Sequence, residues 1–123
     1  MKNVLFISLL TLTLCSCKQD DTMKHKLIGK WQGVSWTVGG KDAGRNPKAV
    51  SFEFTEGYTY STVYEDQGEK GTFRLSGDKL YTTADAANKI EKMVKIAAIN
   101  ADTFVMDMNR MGDSEQLTLI KKP

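Results

Sequence analysis

The chain has 123 residues, with 17 basic and 15 acidic side chains, two cysteines and one histidine. That length holds one domain, and so even a charge balance offers neither a basic stripe for nucleic acid nor an acidic tail for a polycation. Both cysteines precede residue 18, so no disulfide staples the domain, and a chain of this size buries roughly 60–70% of its unfolded surface, enough for one core without disulfide or metal.

Met1 and Lys2 lead into an apolar run from Val4 to Leu14, which ends in Cys15-Ser16-Cys17 and the polar Lys18-Gln19-Asp20-Asp21. A charged start, an apolar stretch of roughly 7–15 residues and a small-residue exit mark an export signal. The run falls short of the about 20 residues that a spanning helix needs. Leu14-Cys15-Ser16-Cys17 resembles the lipobox of bacterial lipoproteins, although Cys15 is an unusual, if small, residue at its position. The resemblance implies cleavage before Cys17 and acylation of that residue, and two or more acyl chains hold a protein stably on a membrane.

The expected organisation is therefore a lipoprotein signal peptide over residues 1–16, a lipid-anchored flexible tether over 17–26, and one domain over 27–123. The expected location is the outer membrane, facing the periplasm or the cell surface, with membrane contact only through the lipid on Cys17. The acidic Lys18-Gln19-Asp20-Asp21 start also resembles the export tag of surface lipoproteins from Bacteroidota-type bacteria; a plain solvated linker reads as well.

From Leu27 the pattern is strand, turn, strand. Lys30 to Val38 is β-rich and holds Trp31 and Trp36, which face opposite sides of a regular strand unless Gly33 marks a bulge. Gly39 to Pro47 is loop chemistry. Val50, Phe52 and Phe54 alternate with Ser51, Glu53 and Thr55. A strand from Tyr58 to Glu65 puts Tyr58, Tyr60, Thr62 and Tyr64 on one face. Lys70 to Leu75 and Lys79 to Thr83 follow, parted by Ser76-Gly77-Asp78.

The segment from Ala84 to Ala98 carries both a helical stripe and a strand alternation. Because Asn100-Ala101-Asp102 turns tightly into an obvious strand, Ile90 to Ile99 reads as strand, with 83–88 as loop or a single helical turn. Thr103 to Met108 and Glu115 to Lys121 close the chain, with Phe104, Met106 and Met108, then Leu117 and Leu119, on the inner face. Short strands parted by turns at this spacing predict an all-β antiparallel meander.

No catalytic constellation is visible, and the expectation is that the protein is not an enzyme and needs no cofactor or metal. His25, the lone histidine, lies in the tether, away from any partner for metal or nucleophilic chemistry. The carboxylate clusters Asp20-Asp21, Glu65-Asp66 and Asp113 with Glu115 fall at the tether or in turns, where solvation explains them. Glycines of the 39–44 loop lead into a strand, so no helix N-terminus awaits a phosphate. The aromatics carry more information. Phenylalanines suit a core, whereas a row of tyrosines needs partners for its hydroxyls and suits a wet cavity or an interface. Met106, Met108 and Met111 suit gap filling or a soft ligand cavity.

Gly29-Lys30-Trp31 at the start of the first strand resembles the lipocalin and wider calycin signature. Leu27 to Trp31, Phe52 to Tyr58, Gly71 to Leu75 and Ile96 to Phe104 together resemble short lipocalin-like lipoproteins of Bacteroidota. The resemblance implies an eight-stranded antiparallel up-and-down barrel whose closed end is covered by Trp31. Lipocalins set an arginine of the last strand over that tryptophan; here only Lys121 and Lys122 are available.

The expected function is binding of a small apolar or amphipathic molecule in the barrel mouth. Phe52, Phe54, Tyr58, Tyr60, Phe73, Leu75, Phe104, Met106, Met108, Leu117 and Leu119 are the candidate ligand-binding residues, and the loop holding Arg45 and Asn46 could cover the opening. The alternative is a barrel with a solid core that binds a protein partner. It would act as a protease inhibitor offering Thr22 to Lys26 as an extended strand, or as a subunit of a surface complex.

Overall fold

The computed structural model describes residues 15–123, with side chains from Asp21 onward apart from that of Arg110. The apolar run of the expected signal peptide and the side chain of Cys17 lie outside the described residues. The strands are β1 (Gly29–Val38), β2 (Lys41–Asp42), β3 (Val50–Phe54), β4 (Thr59–Tyr64), β5 (Gln67–Ser76), β6 (Lys79–Ala84), β7 (Glu91–Ile99), β8 (Thr103–Arg110) and β9 (Asp113–Lys121). Each neighbouring pair is antiparallel, and β9 returns to pair with β1. Eight strands thus close a barrel with no free edge, and the two-residue β2 folds back on the end of β1. The ambiguous segment is strand over Glu91–Ile99, as its alternation and the Asn100 turn predict. Asn100 builds that turn by accepting from the backbone N–H groups of Asp102 and Thr103 at 3.0 and 2.8 Å.

The tryptophans resolve through a bulge. In the β1–β9 ladder Gly33 faces Leu119 and Ser35 faces Thr118, so Val34 is an extra residue and the side-chain parity flips after it. Both Trp31 and Trp36 therefore turn inward. Gly33 is required there for space: a Cβ would overlap the carbonyl oxygen of Pro47, from the short 3₁₀ turn Pro47–Ala49 that crosses the strand.

A structured helix replaces the expected flexible tether. α1 spans Cys15–Leu27, with Lys24, His25 and Lys26 in its last turn, where positive charge suits the carbonyl end of the helix dipole. Met23 and Leu27, four apart and so on one helical face, pack against the barrel core. The indole Nε1–H of Trp31 donates to the Leu27 carbonyl at 2.8 Å, satisfying one of the acceptors a helix end leaves open. Lys24 reaches back over the Tyr58 ring at 3.9 Å and pairs with Glu56 at 3.6 Å. Thr22 to Lys26 is helical and thus not the extended strand that an inhibitor of the proposed kind would offer.

The barrel end beside α1 is solid. Trp31, Phe54, Phe104, Leu27 and Leu119 are all at most 1% exposed. Trp31 tilts against Phe104 with ring centroids 5.6 Å apart, and Phe54 meets Phe73 edge-on at 5.3 Å. Lys121 sets its ammonium 5.2 Å from the Trp31 ring, so the last strand supplies a lysine over the closing tryptophan.

Candidate functional site

The other half of the barrel is hollow. A cavity of about 230 Å³ opens at the end away from α1. Alternate residues of the strands wall it: Trp36 from β1, Val50 and Phe52 from β3, Tyr60, Thr62 and Tyr64 from β4, and Glu69 from β5. Leu80 and Thr82 of β6, Lys92 and Val94 of β7, Met106 and Met108 of β8, and Leu117 of β9 complete the ring. The floor is apolar, with Leu80, Met106 and Leu117 at 1–3% exposure.

Polar groups gather on the β4–β7 side of the cavity. The Tyr60 hydroxyl donates to Glu69 Oε2 at 3.0 Å, and Glu69 Oε1 lies 3.8 Å from Lys92 Nζ. Burial pushes the Tyr60 phenol up to about 12, the acceptor Glu69 and its charge push the same way, and a hydrogen bond from Thr82 opposes them. Tyr60 is therefore a neutral donor at any physiological pH. Thr62 spends its hydroxyl on the Ser51 carbonyl, at 3.0 Å.

On the opposite wall, Trp36 packs edge-on against Tyr64, with centroids 5.7 Å apart, and gives its indole hydrogen to Glu115 Oε1 at 2.8 Å. Glu115, grouped by sequence with solvated turn carboxylates, is instead 6% exposed. Arg45 lies 5.2 Å from the Trp36 ring, so the loop expected at the opening does reach the rim residues. Asn46 caps the 3₁₀ turn by accepting from the Lys48 N–H at 3.1 Å and takes no place in the cavity wall.

Of the residues expected to bind ligand, the structure gathers Phe52, Tyr60, Met106, Met108 and Leu117 around the cavity. Phe54, Phe73, Phe104 and Leu119 face inward too, but they fill the plug near α1 and leave no space for a ligand. Leu75 packs against that core and does not line the cavity. Tyr58 falls outside: it sits before β4 with φ of 60°, is 43% exposed, and lies between Lys24 and the Phe73 ring. Met111 is a fully exposed turn residue.

Trp36, Val50, Thr62, Tyr64, Leu80, Thr82, Val94 and the charged pair Glu69 and Lys92 join the site beyond the expected set. Tyr64 shares the Tyr60 strand face, and Leu80 with Thr82 follows the period of two. Nothing in the pattern marks Glu69 and Lys92 as inward, because a charge in a short strand ordinarily faces solvent. Among the described residues, no group of three or more His, Cys, Asp or Glu side chains stands close enough to hold a metal ion.

The sequence model of the lipocalin-like domain matches residues 27–106. No curated protein matches the sequence. Among solved structures, the chain is similar to a lipocalin-like protein from Bacteroides uniformis ATCC 8492, with TM-score 0.60 and 13% identity over 80% of this chain and 99% of that one. It is also similar to an uncharacterized protein from Bacteroides eggerthii DSM 20697, with TM-score 0.58 and 12% identity over 78% of this chain and 99% of that one. At such identities the structural likeness speaks for the fold alone.

Proposed function

The chain belongs to the lipocalin-like domain family, and we propose that it is a lipid-anchored extracytoplasmic protein that binds one small amphipathic molecule in its barrel mouth. The observation that carries the proposal is the half-hollow interior. A solid aromatic plug holds the closed end, while about 230 Å³ stays open above it with an apolar floor and convergent polar groups on one wall. Apolar lining with a few placed polar groups is the usual make-up of a small-molecule site, although this cavity lies below the common range of about 300–1,000 Å³. It suits a compact ligand. Burying six methylenes at roughly 0.8 kcal/mol each gives about 5 kcal/mol, a sub-millimolar affinity before polar contacts add to it.

Support for the anchor lies in the order of the N-terminal segments: a charged start, a short apolar run, Ser16 and then Cys17. The acylated residue would stand in the first turn of a helix that ends on the plug, leaving the mouth at the far end of the barrel.

Native mass spectrometry of the purified protein tests the binding reading. A co-purified small molecule that is lost on unfolding is the expected result. A bare protein that also fails to take up short aliphatic alcohols overturns it. For the anchor, Cys17→Ala is expected to move the protein from the membrane fraction to the soluble fraction; unchanged membrane retention contradicts lipidation at that residue.

A further inference from the structure

The mouth has a charge preference that the family resemblance does not supply, and it follows from which charges are fixed and which are loose. Glu69 is fixed, because one oxygen accepts the Tyr60 hydroxyl at 3.0 Å and Tyr60 is itself 3% exposed. Lys92 is loose: its side chain is 67% exposed and its ammonium stands 3.8 Å from Glu69, beyond hydrogen-bond length. Across the opening, Trp36 already carries a cation over its ring, the Arg45 guanidinium at 5.2 Å, with the Tyr64 ring at its edge. The acceptors at the rim are thus a held carboxylate and aromatic faces, and cationic side chains of the chain itself rest on both.

An anionic ligand head would have to lie beside a carboxylate that its hydrogen bond prevents from turning away. A cationic head replaces Lys92, which returns to water at little cost. Aromatic faces beside a carboxylate are a physical match for an ammonium group.

Resting on the binding role proposed above, we infer that the mouth selects amphipathic primary amines: an ammonium head at Glu69, between Tyr60 and Tyr64, with an aliphatic body against Leu80, Met106 and Leu117. Lys92 is the placeholder that the ligand displaces. An alkylammonium gains the carboxylate contact that a neutral alcohol of the same length lacks.

The test is calorimetric titration of the full mature protein at neutral pH with hexylamine, hexanol and hexanoate. Hexylamine is expected to bind about tenfold more tightly than hexanol, as a charge-assisted contact implies, and hexanoate most weakly. Glu69→Gln is expected to abolish the amine's advantage while hexanol still binds, which shows that the variant has kept its barrel. Lys92→Met is expected to tighten hexylamine a few-fold. Hexanoate binding as well as or better than hexylamine, or an amine advantage that survives Glu69→Gln, overturns the charge preference and leaves the cavity reading standing. Failure of all three ligands overturns both.

Discussion

Phe54→Ala and Phe52→Ala remove the same side chain from positions two residues apart on β3. Both rings face the interior, and they stack with centroids 5.7 Å apart. Phe54 is 1% exposed, meets Phe73 edge-on and does not line the cavity. Truncating such a residue leaves a void that the neighbours only partly fill, at a cost of about 3–5 kcal/mol. That is a large share of the roughly 5–15 kcal/mol by which a domain is stable. Phe52 is half-buried and already borders open space. Its removal widens an existing cavity, so only part of the side chain's roughly 1.5–3 kcal/mol of transfer energy is lost, about 1 kcal/mol.

Urea unfolding of the two variants beside the parent measures the difference. With a slope of roughly 1–3 kcal/mol per molar for a small domain, the Phe54→Ala midpoint is expected to fall by more than about 1 M, and the Phe52→Ala midpoint by less than half as much. Equal losses would refute the division of the barrel into plug and cavity, because they would place both rings in equally dense surroundings.

Tyr60 gives a pH signature. Its phenol is held at about 12 against an ordinary 10.0, so the fold favours the protonated form. The stability this represents is complete below about pH 10 and is lost as pH rises through 12, by up to about 3 kcal/mol. Tyr60→Phe is expected to remove that share of the alkaline slope in urea midpoints; an unchanged slope contradicts the burial of the hydroxyl. Gly33→Ala forces the β1 bulge against the Pro47 carbonyl. A cost of about 1–3 kcal/mol and a red-shifted Trp36 emission are expected, and unchanged stability and emission would show that the bulge does not set the tryptophan's direction. Leu27→Ala removes a fully buried contact of α1 and is expected to cost about 2–5 kcal/mol in thermal or urea unfolding. A change within about 0.5 kcal/mol would restore the picture of a loose tether.

Side-chain parity was legible in the sequence and height along the barrel was not. The alternation in 50–54, 103–108 and 115–121 correctly placed Phe52, Phe54, Phe104, Met106 and Leu117 inside, because a strand's faces follow from a period of two. Which inward residues fill the plug and which line the cavity depends on the stagger of neighbouring strands around the closed sheet, and no single strand encodes it. Phe52 and Phe54 look alike in the sequence for this reason.

Trp36 escaped the pattern because one bulge residue, Val34, reverses every later side chain of β1. Tyr58 left it because the backbone turns at φ of 60° before β4 begins. In α1 the only apolar signal is Met23 and Leu27 in a polar segment, and tertiary packing on the plug outweighs a composition that reads as linker. Glu69 and Lys92 were invisible as site residues because a charge in a short strand ordinarily faces solvent, and their pairing on one wall of the mouth shows only in the fold.

Methyl-resolved NMR of the protein titrated with hexanol tests the central claim most directly, since it reports contact residue by residue. Shifts are predicted at Leu80, Val94, Met106, Met108 and Leu117 around the cavity, with Leu27 and Leu119 in the plug unmoved. Shifts confined to the outer-face methyls of Val63, Met93 and Met111, with the interior silent, would contradict a ligand site inside the barrel.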